Sequence, residues 1–319
     1  MKAVYLEEAA VNRGDITLDP ITSCVETKVY ANTTEADKYE HIGDADIVFS
    51  NKIIFDEETF QRLPNLKYIG VCATGYNVID IEAATRHGVT VTNVPAYSTE
   101  SVAQLTWGFI LECAANISGH NKSVHDGDWV NSETFCYWLS PVMELAGKTL
   151  GVIGYGNIGK RVVEIALAFG MKVMVYTPHP PKEVASDNLK FVSMEDIWKA
   201  SDIITLHCPM TKETEKMICK ENISKMKDGV IIINVSRGGL VNEQDLADAL
   251  SSGKVYAAAA DVVTYEPMRS DNPLLTVPNM RFTPHLAWAS VEARKRLIDI
   301  VAENLKAYLK GEKLNVLCQ

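Results

Sequence analysis

The chain has 319 residues, of which 47% are hydrophobic and 23% charged, with a formal net charge of −10 at pH 7. This length is generous for one hydrophobic core and suits two globular domains. The negative charge argues against nucleic-acid binding, which requires a basic face. No apolar run reaches the roughly 18 residues that span a bilayer, and Glu7 and Glu8 stand where a signal peptide would be apolar.

The seven cysteines are scattered along the chain and form no Cys-x-x-Cys pair. Their odd number and wide spacing indicate reduced thiols rather than a disulfide framework or a zinc site. The seven histidines are also dispersed, without the paired ligands of a metal centre. We therefore expect a cytoplasmic protein with no membrane or nucleic-acid partner and no metal.

Short apolar runs alternate with helical patterns along the chain, which is typical of a parallel α/β architecture. Long helices are predicted from Ser98 and Thr99 onward and over 290–310, because both follow good N-capping residues. Other predicted helices lie near 56–62 and 79–87, and another follows the glycines at 154–159 and ends at Gly170. The predicted strands are 2–6, 45–49, 67–71, 149–154, 171–176, 202–209, 229–235, 257–263 and 280–285.

The last long helix follows the final middle strand and is placed to return to the first α/β unit. The fold class is therefore α/β, with two Rossmann-like domains and a cleft between them. We predict a flavodoxin-like, substrate-binding domain of residues 1–98 and 290–319. A dinucleotide-binding domain would comprise residues 99–289. The segment 118–138 is aromatic and poorly periodic, and we expect it to contact a second subunit.

The stretch GVIGYGNIGKRVV places a glycine-rich turn between a predicted strand and a predicted helix. Gly154, Gly156 and Gly159 have the spacing of a dinucleotide-binding turn, in which the first glycine allows unusual dihedral angles and the third lets the helix approach the strand. The backbone amides at the helix start, including those of Asn157 and Ile158, would face the pyrophosphate. The alternative is a tight strand–helix turn without a ligand.

Three polar residues stand at the ends of later predicted strands, where ligands of open α/β sheets bind: Arg237, Glu266 and His285. Each one alone could be a surface or structural residue. Together they fit hydride transfer to a 2-keto acid. A guanidinium can hold carboxylate and keto oxygens, an imidazole can protonate the developing alkoxide, and a carboxylate can orient that imidazole in its protonated form.

Five motifs, in order along the chain, resemble those of the D-isomer-specific 2-hydroxyacid dehydrogenase family: VIGYGNIG, HCPMTKET, NVSRGGLVNEQDL, DVVTYEP and TPH. The resemblance implies that Arg237 binds the substrate, that His285 is the acid/base and that Glu266 is its partner. It implies a substrate-carboxylate loop and further cofactor contacts. The loop residues are Ala73, Thr74 and Gly75, and the cofactor contacts are Pro209, Val235, Ser236 and Asp261.

Other stretches resemble the glycerate dehydrogenase, or hydroxypyruvate reductase, group of this family: SNK, ATGYNVID, YSTESVAQ, FCYWLSPVMELAGKTLG and HLAWAS. Gln104 and Trp288 depart from the wider family and fit this group. The resemblance implies reduction of hydroxypyruvate, and of glyoxylate, by a nicotinamide cofactor in a homodimer. The alternatives are a D-lactate or other 2-keto acid reductase and, from another class, a dinucleotide-sensing corepressor. A 3-phosphoglycerate enzyme fits less well.

Thr177 occupies the place where a carboxylate usually holds the adenosine ribose of NAD. A 2′-phosphate would meet no negative charge there, but no arginine lies between Val162 and Ser236 to bind it. Positive charge could come only from His179 or Lys182. We therefore expect NADH as the preferred cofactor, with weaker use of NADPH.

Overall fold

The structure, a computed structural model, describes residues 1–181 and 187–318. The chain divides into two compact units, Met1–Ser98 with Trp288–Gln319 and Thr99–Ala287. Each contains a largely parallel sheet, which confirms the predicted α/β class with two parallel-sheet domains. The chain returns to the first unit at Trp288 rather than at 290, and the Trp288 ring packs against Tyr97 of that unit with ring centroids 6.4 Å apart.

Strands are numbered in chain order. They are β1 Ala3–Tyr5, β2 Thr27–Val29, β3 Ile47–Ser50, β4 Tyr68–Val71, β5 Thr90–Thr92, β6 Thr149–Ile153, β7 Lys172–Tyr176, β8 Leu189–Phe191, β9 Ile203–Leu206, β10 Val230–Asn234, β11 Val255–Ala260, β12 Met280–Phe282 and β13 Val316–Cys318.

The α-helices are numbered in the same way. They are α1 Glu8–Val11, α2 Asp19–Thr22, α3 Lys38–Ile42, α4 Glu57–Arg62, α5 Ile81–Arg86, α6 Thr99–Ala115, α7 Ile117–His125, α8 Asn157–Ala168, α9 Met194–Ala200, α10 Lys220–Lys225, α11 Glu243–Ser251 and α12 Val291–Leu309. None of these described helices is long and apolar enough to cross a membrane.

The sheet of the first unit has the strand order β13-β5-β4-β3-β1-β2 and is parallel except for β13. The central strands β1, β3 and β4 are buried along their whole length, as their apolar sequences require. Apolar clusters cover both faces, and α12 contributes to one of them. Since β1, β3 and β4 are parallel neighbours, their carboxyl ends lie side by side.

The sheet of the second unit has the order β12-β11-β10-β9-β6-β7-β8, and every pair in it is parallel. The chain order runs outward from β6 in both directions, toward β8 on one side and β12 on the other. The carboxyl ends of β6 and β9 therefore form a topological switch point, where ligands of open α/β sheets bind. Buried apolar clusters lie on each face of this sheet.

The structure contains strands and helices that the sequence did not predict, among them four short strands and helix α7. Strands β2, β8 and β13 were not predicted, because they are short edge strands and are only partly buried. Strand β5 was not predicted either, although it is buried, because it has only three residues, two of them threonines. Within the segment 118–138, residues up to His125 form α7, in which Ser123 alone is buried. A helix that buries so little has no apolar periodicity to detect.

Candidate active site in the second unit

The glycine-rich turn joins β6 to α8 at the switch point. Gly154 has a φ of +102°, and a Cβ atom there would lie 2.6 Å from the carbonyl group of His207. A Cβ atom on Gly159 would lie 2.2 Å from the carbonyl oxygen of Gly154. At Gly156, by contrast, no atom lies within 4 Å of the Cβ position. Two glycines thus let the turn form and pack, and the third leaves open space where a pyrophosphate can approach the backbone.

The N-terminus of α8 is suited to bind an anion. Gly156 caps this 12-residue helix without a side-chain hydrogen bond, and the first turn contains no acidic residue. The amides near Asn157 and Ile158 and the helix dipole therefore favour negative charge at this point. These residues fit the pyrophosphate of a dinucleotide.

The end of β7 lies next to the glycine turn, because the amide of Gly154 donates to the carbonyl oxygen of Tyr176 at 2.9 Å. Thr177 follows directly and is half-buried, while His179 is exposed. The structure thus brings Thr177 beside the turn, as the ribose assignment requires. Lys182 lies outside the described residues.

The ends of β9 and β10 are hydrogen-bonded to each other beyond the sheet. The Ser236 hydroxyl donates to the carbonyl oxygen of Cys208 at 2.5 Å, and the Ser236 amide donates to Asn234 Oδ1 at 3.1 Å. Pro209 follows Cys208 and is exposed, whereas Val235 is buried. Three predicted cofactor residues, Pro209, Val235 and Ser236, therefore lie along one edge of the sheet.

His207 lies beneath the glycine turn and was not predicted as a site residue. Its Cβ atom is 3.7 Å from the Cβ position of Gly159, and its Nε2 atom is 2.9 Å from Thr205 Oγ1. Desolvation of the imidazole against the turn lowers the pKa of His207 to about 3, although the residue as a whole is half-buried. The His207 imidazole beneath the turn is therefore neutral at physiological pH. The motif HCP was the only sequence signal for this residue.

Asp261, at the end of β11, organises the turn that carries His285. Its carboxylate accepts from the Thr283 hydroxyl, from the Leu286 amide at 2.8 Å and from the Ala287 amide at 2.9 Å. The His285 amide donates to the Asp261 carbonyl oxygen at 2.8 Å. Burial raises the pKa of Asp261, and these hydrogen bonds oppose that rise. A contact with the nicotinamide carboxamide stays a prediction.

His285 and Glu266 form the pair that the sequence suggested. His285 Nδ1 lies 2.6 Å from Glu266 Oε2, and the two side chains are 31% and 33% exposed. The other carboxylate oxygen of Glu266 accepts from the Val263 amide at 3.2 Å. Because Nδ1 faces the carboxylate, Nε2 is the ring atom left to exchange a proton with a ligand.

Arg237 lies on the loop after β10, close to the loop that carries Glu266. A Cβ atom on Gly238 would lie 1.9 Å from the carbonyl carbon of Val263, so the two loops touch through their backbones. Asn234 Nδ2 donates to the Arg237 carbonyl oxygen at 2.9 Å, which fixes the loop. The exposed guanidinium donates to the Ser236 carbonyl oxygen at 2.7 Å. The Arg237 side chain therefore extends from a backbone that is held in place by the Asn234 side chain.

The predicted carboxylate loop, Ala73, Thr74 and Gly75, follows β4 in the first unit. The Ala73 carbonyl oxygen accepts from the Val94 amide at 3.0 Å, and the Thr74 hydroxyl donates to the Val94 carbonyl oxygen at 2.7 Å. Within residues 1–181 and 187–318, the amides of Thr74 and Gly75 donate to no protein acceptor. The loop is thus anchored while two donors stay available for a ligand.

In the part of the chain that the structure describes, no group of three or more histidine, cysteine, aspartate or glutamate side chains could hold a metal ion. The polar groups at the carboxyl edge of the second sheet include the Arg237 guanidinium, the His285–Glu266 pair, the Asp261 carboxylate, the Ser236 hydroxyl and backbone amides.

The model of the D-isomer specific 2-hydroxyacid dehydrogenase NAD-binding domain matches residues 107–287 of this chain. The chain is 46% identical to a hydroxypyruvate reductase of Blautia hydrogenotrophica, over 99% of both chains. It is 39% identical to a glycerate dehydrogenase of Methylorubrum extorquens, over 99% of this chain and 98% of the relative. The apo structure of D-lactate dehydrogenase from Escherichia coli superposes with a TM-score of 0.85 at 29% identity, covering 99% of this chain and all of the other.

The matched residues contain the glycine turn, the β9 and β10 loops and the His285–Glu266 pair. The open Cβ position at Gly156 and the uncapped N-terminus of α8 fit the cofactor of that domain. The chain therefore belongs to the family of D-isomer specific 2-hydroxyacid dehydrogenases and carries the NAD-binding domain of that family.

Proposed function

We propose that this protein reduces hydroxypyruvate to D-glycerate with NADH, and that it also reduces glyoxylate. The similarity to a hydroxypyruvate reductase and to a glycerate dehydrogenase over nearly the whole chain supports this choice within the family. The observation that carries the chemistry is the His285–Glu266 pair, which stands at the carboxyl edge of the sheet that holds the glycine turn.

The reduced nicotinamide supplies a hydride when it is bound. We assign to His285 the delivery of a proton from Nε2 to the former keto oxygen, while Glu266 keeps the ring oriented. We assign to Arg237 the binding of the keto and carboxylate oxygens through its planar fork. The amides of the loop 73–75 would bind the substrate carboxylate, which makes the first unit the substrate-binding domain and the second the cofactor domain.

The test is turnover of NADH and of NADPH with hydroxypyruvate, glyoxylate, pyruvate and 3-phosphohydroxypyruvate. We expect the highest kcat/KM with hydroxypyruvate and NADH, and detectable turnover of glyoxylate. A preference for pyruvate would identify the D-lactate alternative instead. Binding of NADH with no turnover of any of these acids would favour the corepressor alternative.

We also propose that the protein is a homodimer in the cytoplasm. The region from α7 to Val142 exposes several large apolar side chains, including Val130 at 87%, Phe135 at 88% and Trp138 at 69%. Such a surface is suited to a second copy of the chain rather than to water. All seven cysteines are free, which suits a reducing compartment. Analytical sedimentation of the wild type and of Phe135→Ser tests the homodimer, and a monomeric wild type would contradict it. Fractionation of cells tests the cytoplasmic location.

A further inference from the structure

The carboxylate of Glu7 lies at the carboxyl edge of the first unit's sheet and has no part in the proposed chemistry. Glu7 follows β1 and is only 8% exposed. Its Oε2 atom accepts from the Ser50 hydroxyl at 2.9 Å and from the Asn51 amide at 2.8 Å. The Lys52 amide donates to both carboxylate oxygens at 3.1 Å. One side chain thus binds three consecutive residues at the end of β3.

Burying the Glu7 carboxylate without an ion-pair partner costs free energy of folding. Among residues 1–181 and 187–318, no lysine, arginine or histidine nitrogen forms an ion pair within 4.0 Å of the Glu7 carboxylate. A carboxylate away from water is stabilised only by the groups that donate to it, and an apolar side chain would fill the same space without that cost. What an apolar side chain could not do is bind three converging donors and thereby fix the backbone at 50–52.

The turn at 50–52 is connected directly to the loop 73–75. Strands β3 and β4 are parallel neighbours, with Ser50 opposite Val71. The Cys72 amide donates to the Ser50 carbonyl oxygen at 2.8 Å, which extends the pairing to the residue before Ala73. On its other flank the loop is held by Val94. Glu7 therefore fixes one of the two flanks of the loop whose free amides are proposed to bind the substrate.

We propose that Glu7 is a positioning residue for substrate binding: by holding the turn 50–52, it sets the position of the amides of Thr74 and Gly75. The inference rests on the proposed function, because it takes the anion bound by that loop to be the substrate carboxylate. Glu7 itself touches neither substrate nor cofactor in this assignment.

The decisive variant is Glu7→Gln, which keeps the size of the side chain but turns an amide group toward the donors of the turn. Since small displacements of binding groups have large effects, we expect the KM for hydroxypyruvate to rise about tenfold or more. We expect kcat at saturating substrate to stay within about twofold and the KM for NADH to stay unchanged, because the reacting groups and the glycine turn lie in the other unit. Glu7→Asp, which keeps a carboxylate, should have a KM for hydroxypyruvate between those of the wild type and Glu7→Gln.

Asp46→Asn is the matched control. Asp46 precedes β3, at the amino end of the same strand, and its carboxylate accepts from the Lys2 amide at 3.0 Å and from Lys67 Nζ at 2.7 Å. Its loss should lower the Tm without changing the KM for hydroxypyruvate. A merely structural role for Glu7 would give the same pattern in Glu7→Gln, a lower Tm with a wild-type KM, and would overturn the proposal.

If Glu7→Gln does not fold, Ser50→Ala decides, because it removes one of the three donors and leaves the carboxylate in place. We expect a higher KM for hydroxypyruvate in this variant, and an unchanged KM would overturn the inference. Wild-type protein that fails to turn over hydroxypyruvate would instead overturn the proposed function, and the inference with it. Active wild type with an unaffected KM in the variants overturns the inference alone.

Discussion

Each unit of this molecule contains a histidine–glutamate pair, and the two pairs are nearly alike. In the second unit His285 lies 2.6 Å from Glu266, and in the first unit His87 lies 2.8 Å from Glu57. The two imidazoles are 31% and 29% exposed. Distance and exposure therefore do not distinguish a candidate acid from a surface contact.

The location in the fold does distinguish them. His285 follows β12 at the carboxyl edge of the sheet, on a turn fixed by Asp261. His87 follows α5 shortly before the amino end of β5, and the neighbouring Arg86 also binds Glu57. The hydrogen bond from His87, followed by those from Arg86 and Gln61, lowers the pKa of Glu57 to about 2. Glu57 thus binds Arg86 and Gln61 as well as His87 at the surface, whereas the His285–Glu266 pair lies at the carboxyl edge of its sheet, where ligands bind.

The largest expected effect separates the two histidines. His285→Ala should reduce kcat about a hundred- to ten-thousand-fold, because the general acid of the chemical step is lost. His87→Ala, which removes an equivalent pair, should leave kcat unchanged. Steady-state turnover measures both, and NADH fluorescence checks that the cofactor still binds. A His285→Ala enzyme with more than about a third of wild-type kcat would show that another group supplies the proton.

The arginines of the two pairs allow a second comparison. Arg237→Lys keeps the charge but loses the planar fork, so kcat/KM for hydroxypyruvate should fall by roughly one to two orders of magnitude with little change in NADH affinity. Arg86→Lys, at the surface pair, should have no effect on either quantity. Equal kcat/KM values in the two variants would remove Arg237 from substrate binding.

His207 differs from both paired histidines because its ring is desolvated beneath the glycine turn and has no carboxylate partner in the described contacts. Its pKa in the folded protein is about 3, below the unfolded value of 6.5. Unfolded chains therefore take up a proton between pH 6.5 and 3 that the folded protein excludes, and stability falls as the pH falls through that window. At pH 5 the loss amounts to at most about 2 kcal/mol. His207→Gln should remove it, so that Tm depends less on pH between 7 and 5; parallel Tm curves would contradict this.

The smallest effect concerns the cofactor at the same carboxyl edge. Thr177→Asp would place a negative charge where a 2′-phosphate has to bind, next to the glycine turn. Discrimination against NADPH should rise at least about tenfold, equivalent to about 1.4 kcal/mol. The ratio of kcat/KM values for NADH and NADPH, at saturating hydroxypyruvate, measures it in wild type and variant. A wild type that prefers NADPH would overturn the assignment of NADH.

The sequence alone determined the parts of the fold that depend on local patterns. The buried central strands are continuous apolar runs in the sequence. The glycine turn is also visible there, because its backbone conformation and close packing require glycine at 154 and 159. Arg237, Glu266 and His285 could be proposed together because strand ends of a parallel sheet share one edge. The edge strands β2, β8 and β13 could not be predicted, since a short and partly exposed strand gains its stability from its neighbour.

Only the tertiary structure decided which polar side chains are enclosed and what they bind. Glu7 is distant in sequence from Ser50 and Lys52, yet it binds both, because parallel pairing of β1 and β3 brings their ends together. His207 is neutral because the glycine turn covers it, and the sequence does not show that cover. The two histidine–glutamate pairs have similar distances and exposures, and they are distinguished by the edge of the sheet they occupy and by the groups that surround them. Local sequence sets backbone preference, whereas burial and long-range hydrogen bonds exist only after the chain has folded.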